Sequence, residues 1–107
     1  MPKGIMVVQS SPADPAKDAE FNEWYATAHL PELLSVPGFV SARRFRVHRP
    51  GAAGRHSYLA VYELEADDLT APLVALRERN GADRAAGAEL LSSDPPPIVT
   101  VYELIED

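Results

Sequence analysis

Trp24, Tyr25, His29 and Pro31 fall within one stretch, NEWYATAHLPELLSVPGF (residues 22–39), and their types and spacing could support proton transfer. His29 follows Tyr25 by four positions and Trp24 by five, near the aromatic face of a predicted helix. Histidine is the side chain most easily tuned to exchange protons near neutral pH. A pocket-facing imidazole could take a proton from an acidic C–H or a phenol and return it elsewhere, as a general acid–base. In the last turn before a break, it would also meet the negative end of the helix dipole, which favours the protonated ring. The competing role is structural: a half-buried or capping histidine bonded to backbone groups freed by Pro31. Trp24 and Tyr25 suit the wall of an aromatic pocket, with an indole or phenol donor for orientation, better than they suit reagents.

Other candidates lie on predicted strands. Arg43 and Arg44 are adjacent, so at most one points between helix and sheet, where a guanidinium needs an anionic partner or ligand. Tyr58, Tyr62 and Tyr102 are assigned one parity, and Tyr62 and Tyr102 could line the same wall. Glu20, Glu23 or Glu32 could pair with the arginine or orient His29, although solvated helix faces explain all three. His48 and His56 flank a loop, and no H-x-x-x-H or H-E-x-x-H pattern joins any histidines, so no metal site is expected. The chain shows no phosphate-binding glycine loop, no dinucleotide fingerprint and no nucleophile elbow.

The elements that would carry these residues belong to one domain, residues 1–107. The chain is 46% apolar and 24% charged, as folded globular domains are. A net charge of −6 argues against nucleic acid and anionic membranes as partners. Half of the ten basic residues nevertheless fall between positions 43 and 55, either a solvated strand edge or a site for an acidic or phenolate small molecule. Without cysteine, disulfides and thiol chemistry are excluded. No membrane-length apolar run or leader-like cleavage site is evident, and a cytoplasmic location is expected.

Strands are predicted at 4–9, 39–48, 56–64 and 98–105, with GIMVVQ and HSYLAVYEL as the clearest runs. A helix bearing Phe21, Trp24, Tyr25 and Ala28 should pause at Pro31 and restart as PELLSV. Pro37-Gly38 marks a turn, and PGAAG (50–54) a hairpin loop. Asp67 or Asp68 should cap a helix with Leu69, Leu73 and Leu76 inward, ended or interrupted by Asn80-Gly81, with a short helical piece in ADRAAGAELL. The order βαββαβ is that of a ferredoxin-like α+β fold with a four-stranded antiparallel sheet. Both faces of the strands are apolar, although two helices cover only one. A homodimer with its two sheets face to face is therefore expected.

The run EFNEWYATAHLPELLSVPGFVSARRFRV resembles EthD-like proteins of the dimeric α+β barrel superfamily, in its W-Y-x-x-x-H-L-P motif followed by P-G-F. The resemblance implies that fold over the whole chain and places a recurrent histidine at His29. Such scaffolds host many chemistries. The expected function is that of a small cofactor-independent enzyme acting on an aromatic or polyketide-like metabolite by His29-mediated proton transfer, of cyclase or lyase type. Trp24, Tyr25, Arg44 and Tyr62 would bind the substrate. The alternatives are a non-catalytic small-molecule-binding or accessory dimer, a cofactor-free monooxygenase, and a purely structural oligomerisation domain.

Overall fold

The computed structural model describes residues 2–49, 56–82, 90–92 and 95–105. Strand β1 (Lys3–Ser10) leads through a short 3-10 turn, Pro15–Lys17, into helix α1 (Asp18–Trp24). A π-helical segment, Tyr25–His29, joins α1 to α2 (Leu30–Leu34). Strands β2 (Phe39–Arg46) and β3 (Tyr58–Glu65), helix α3 (Thr70–Ala82) and strand β4 (Ile98–Glu103) complete the βαββαβ order. The sheet is antiparallel throughout, in the order β2-β3-β1-β4. The two middle strands of the ferredoxin-like pattern, β1 and β3, are thus the central pair.

Strand alternation divides the residues between two environments. Met6, Val8, Ala60, Tyr62 and Leu64 face the helices and are buried with Phe21, Trp24, Tyr25 and Leu33. On the opposite, open face Ile5, Val7, Leu59 and Val61 are half-buried, while Phe45, Ile98 and Tyr102 are about half exposed. The register pairs Ile5 with both Glu63 and Tyr102. Tyr102 therefore lies on the face opposite Tyr58 and Tyr62, against the expectation of a shared parity. It cannot line the same wall.

The helix does not stop at Pro31. His29 and Leu30 keep right-handed helical dihedrals, and Pro31 falls in the first turn of α2 with no N–H to offer the Thr27 carbonyl. The adjustment comes one turn earlier. The Leu30 N–H reaches back to the Tyr25 carbonyl, five residues away, and the helix widens to admit the proline.

Some boundaries also shift. Strands β2 and β3 both stop short of the expected hairpin ends: β2 closes at Arg46 rather than His48, and β3 opens at Tyr58 rather than His56. Helix α3 runs through Asn80-Gly81 to Ala82, and Asp68 is its cap, accepting from the Thr70 N–H at 2.9 Å. The PGAAG loop and most of ADRAAGAELL lie outside the described residues. His56, expected only to flank a loop, is buried. One ring nitrogen contacts the Pro96 carbonyl at 2.8 Å and the other the Ser11 hydroxyl at 3.0 Å. Because a carbonyl only accepts, Nε2 donates to Pro96, while Nδ1 pairs with the Ser11 hydroxyl. This clasp ties the approach to β4 to the ends of β1 and β3.

Gly38, after Pro37, adopts φ +99°, and an added Cβ there would lie 2.7 Å from Pro72 Cγ. The turn into β2 and the packing of α3 both need the missing side chain. Gly38→Ala should lower unfolding free energy by about 1–3 kcal/mol with an unchanged urea m-value. Wild-type stability in that variant would contradict the assignment.

Candidate active site

The widened turn determines where His29 goes. In a regular α-helix, residues five apart point to different sides; a five-residue turn brings them one above the other. The His29 imidazole accordingly stacks on the Trp24 indole, with centroids 4.7 Å apart and planes 22° from parallel. It meets Tyr25 edge-on at 4.8 Å. Phe21 lies edge-on to Tyr25 at 5.4 Å, which continues the aromatic row along α1. The ring is half-buried, and its Nδ1 is buried without a hydrogen-bond partner. The row points inward.

From the sheet, Arg44 and Tyr62 approach this row. Arg44 pairs in register with Ala60 and shares its helix-facing side, whereas Arg43 pairs with Val61 on the open face. The Arg44 guanidinium carbon lies 4.2 Å from the Tyr25 ring centroid, 5.2 Å from that of Tyr58 and 5.6 Å from that of Phe21. Such cation–π contacts offset part of the loss of hydration. Nη1 donates to the Asn22 side-chain oxygen at 2.9 Å, while Nη2 is buried and unpartnered. Tyr62 is fully buried beside Tyr25, and its hydroxyl finds no partner of acceptable geometry.

Electrostatics follow from this packing. Burial, and then the positive charge of Arg44, lower the His29 pKa from 6.5 to about 4. The ring is neutral at pH 7, which reverses the expectation that a helix end would favour its protonated form. No helix end is present at His29, and a cation is nearby. Burial, followed by the neighbouring Tyr25, pushes the Tyr62 phenol far above its ordinary range, so it remains a neutral donor.

The four residues expected to surround His29 are thus gathered there: Trp24 and Tyr25 in contact with it, Arg44 and Tyr62 from the strands. Residues that sequence reasoning missed complete the arrangement. Asn22 holds Arg44 and also donates to the Asp18 carboxylate and to the Tyr58 hydroxyl, at 3.3 and 3.1 Å. Tyr58 donates to Asp18 at 2.5 Å. Asn22 precedes Tyr25 by three positions, and its spacing of four from Asp18 was the available signal. Glu20 and Glu23 are exposed; neither they nor Glu32 hydrogen-bonds Arg44 or His29 through its side chain. Among the described residues no group of three or more His, Cys, Asp or Glu is placed to hold a metal ion. A groove of about 510 Å³ lies on the open face, lined in part by Ile5, Phe45, Val61 and Tyr102.

At the level of sequence, the chain matches no protein-family model and no curated protein. Solved structures do match over full length. A dimeric ferredoxin-like protein from an uncultured marine organism is 13% identical, with a TM-score of 0.66 over 100% of this chain and 99% of its own. An EthD family protein from Bacillus halodurans C-125 is 18% identical, with a TM-score of 0.63 over 98% and 100%. An EthD-like protein from Ralstonia eutropha JMP134 is 10% identical, with a TM-score of 0.65 over 100% and 96%. By fold, the chain is therefore a ferredoxin-like α+β protein of the type that includes EthD-like and dimeric ferredoxin-like proteins. Among the described residues no helix is long and apolar enough to cross a membrane.

The buried neutral imidazole has a consequence for stability. Below about pH 6.5 the unfolded chain takes up a proton on His29, whereas the folded ring resists protonation until about pH 4. The contribution is fully present above that window and is lost as pH falls through it. At about 1.4 kcal/mol per pH unit, it amounts to about 3–4 kcal/mol across the window, of which about 2–3 kcal/mol is gone by pH 4.5. Urea unfolding at pH 7 and pH 4.5 should show this loss in wild type and a smaller one in His29→Gln. Parallel pH dependence in the two proteins would contradict the burial.

Proposed function

We propose that the protein is a small, cofactor-independent enzyme of the EthD-like kind, acting on an aromatic or polyketide-like metabolite with His29 as the proton-transfer group. The reading rests on one observation above all: a neutral imidazole held between Trp24 and Tyr25, with a buried Nδ1 that no group among the described residues uses. A neutral ring can accept a proton, and its low basicity suits a substrate whose C–H or phenol is already acidic. Cyclase or lyase chemistry, in which a proton is removed and returned, needs nothing further from the chain. Trp24 and Tyr25 would flank the substrate, and Arg44 and Tyr62 would meet its polar end. Oxygenation of an electron-rich phenolate, the monooxygenase alternative, would use the same base.

We further propose that the working form is a homodimer joined through the open sheet face. That face presents Ile5, Val7, Leu59, Val61, Phe45 and Tyr102 to solvent in a single chain, an apolar surface that association would cover. Lys3 and Arg43 line its groove together with Glu63, Glu65 and Glu103, so a two-fold partner could oppose unlike charges. The matched protein from the marine organism is described as dimeric, which supports this reading.

The close packing of Phe21, Tyr25 and Tyr62, each at most 1% exposed, favours a second reading, a binding or accessory dimer without turnover. A thermal-shift screen of aromatic and polyketide-like compounds, followed by product analysis, separates the two. For a compound that is converted, His29→Ala should reduce kcat by about 10²–10⁴ and leave binding within a few-fold. Unchanged turnover in that variant removes His29 from the chemistry; binding without conversion of any hit favours the accessory role. Sedimentation at micromolar concentration should give twice the chain mass, and a stable monomer would contradict the dimer.

A further inference from the structure

The Arg44 guanidinium is held from one side only. Asn22 fixes Nη1, and Asn22 and Tyr58 are in turn held by Asp18, so the arginine's orientation is set through neutral groups rather than by a carboxylate in direct contact. Among the described residues, Asn22 is the only side chain hydrogen-bonded to Arg44, and Nη2 is left buried and unpartnered. The fully buried Tyr62 hydroxyl makes no hydrogen bond of good geometry, although the Tyr25 phenol is close enough to interact with it. The charge of Arg44 reaches both Tyr62 and His29, which places the three groups in one electrostatic neighbourhood.

A buried cation without a counter-ion is costly, and cation–π contacts offset only part of that cost. A cavity for neutral ligands would gain nothing from it. Two unused donors beside a row of aromatic rings match an oxygen anion on a flat apolar body. The buried Arg44 Nη2 and the Tyr62 hydroxyl come from two different strands, so the match is to one oxygen that both can reach, on a carboxylate, phenolate or enolate. We infer that this site takes its ligand as a planar conjugated oxyanion, with the charged oxygen held by Arg44 Nη2 and the Tyr62 hydroxyl. The inference rests on the reading of the His29 region as a ligand site and adds the charge of what enters it.

A bound anion would also offset the field of Arg44 at His29. The base would then strengthen when an anionic ligand arrives, relative to a neutral ligand of the same shape that displaces the same water. The groups acting on His29 are Arg44 from β2 and the rings of Trp24 and Tyr25 on its own helix; Tyr62 from β3 remains neutral.

Calorimetric titration with 2-naphthoate and 2-naphthamide, close in shape and different in charge, tests the assignment. Wild type should bind the naphthoate at least about tenfold more tightly. Arg44→Gln should abolish that preference while retaining naphthamide binding, and Tyr62→Phe should reduce it. His29, followed by NMR, should titrate at a higher pH with the naphthoate bound than with the naphthamide. If Arg44→Gln does not fold, the wild-type preference and its reduction in Tyr62→Phe decide. Equal or tighter binding of the amide to wild type overturns the inference and leaves the His29 region standing as a proposed ligand site, as does a preference that survives in folded Arg44→Gln. Failure of both compounds to bind overturns the inference together with the reading of the His29 region as a ligand site.

Discussion

Pro31 has no N–H to offer the Thr27 carbonyl, and much of the site depends on how the helix absorbs that loss. A helix that ended there would leave His29 at a terminus, beside open carbonyls and water. Instead the register widens by one residue across Tyr25–His29 and the helical path continues into α2. The Thr27 hydroxyl turns back to the Glu23 carbonyl at 2.8 Å, so the distorted turn keeps a side-chain bond to its own backbone. Stacking of His29 on Trp24 follows from the wider turn, since five-residue spacing would otherwise separate the two rings.

That local change has consequences across the layer between helix and sheet. With the imidazole turned inward, the first helix presents rings to a strand that carries Arg44. The protein thus holds a cation, a neutral base and a phenol against aromatic rings, with Asn22 as the neutral polar group that fixes the cation. Each unpaired polar atom there costs stability. The rest of the core, from Met6 and Val8 to Leu64 and Phe39, has to compensate. Arrangements of this kind, in which local groups are left unsatisfied while their surroundings are well packed, are more typical of sites than of scaffolding.

Much of this was legible from residue order. The βαββαβ order followed from β-branched runs, turn signals and helical spacing, and Arg44 rather than Arg43 was the residue already favoured for the interior. Other features depended on information that is not local. The sequence pattern suggested a break at Pro31, but whether a helix ends or widens depends on what its far side can pack against. Tyr102 was placed on the wrong face because its side is set by pairing with Ile5 across the sheet, which alternation within its own strand does not reveal. The sign of the His29 shift was missed for a related reason: the helix terminus expected beside it does not exist, and Arg44 reaches it from a strand 15 residues on. Asn22 and His56 drew little notice, since their partners, Arg44, Ser11 and Pro96, are distant in the chain.

The central claim is that the wide turn holds a neutral His29 ring against Trp24, inside the layer. Nitrogen-15 NMR of the imidazole at pH 5.5, with the ring-proton shifts read from the same sample, tests it most directly. The account predicts a neutral ring whose protons are shifted upfield by the indole. A protonated imidazole with ordinary proton shifts at that pH would put the ring in water and contradict the claim.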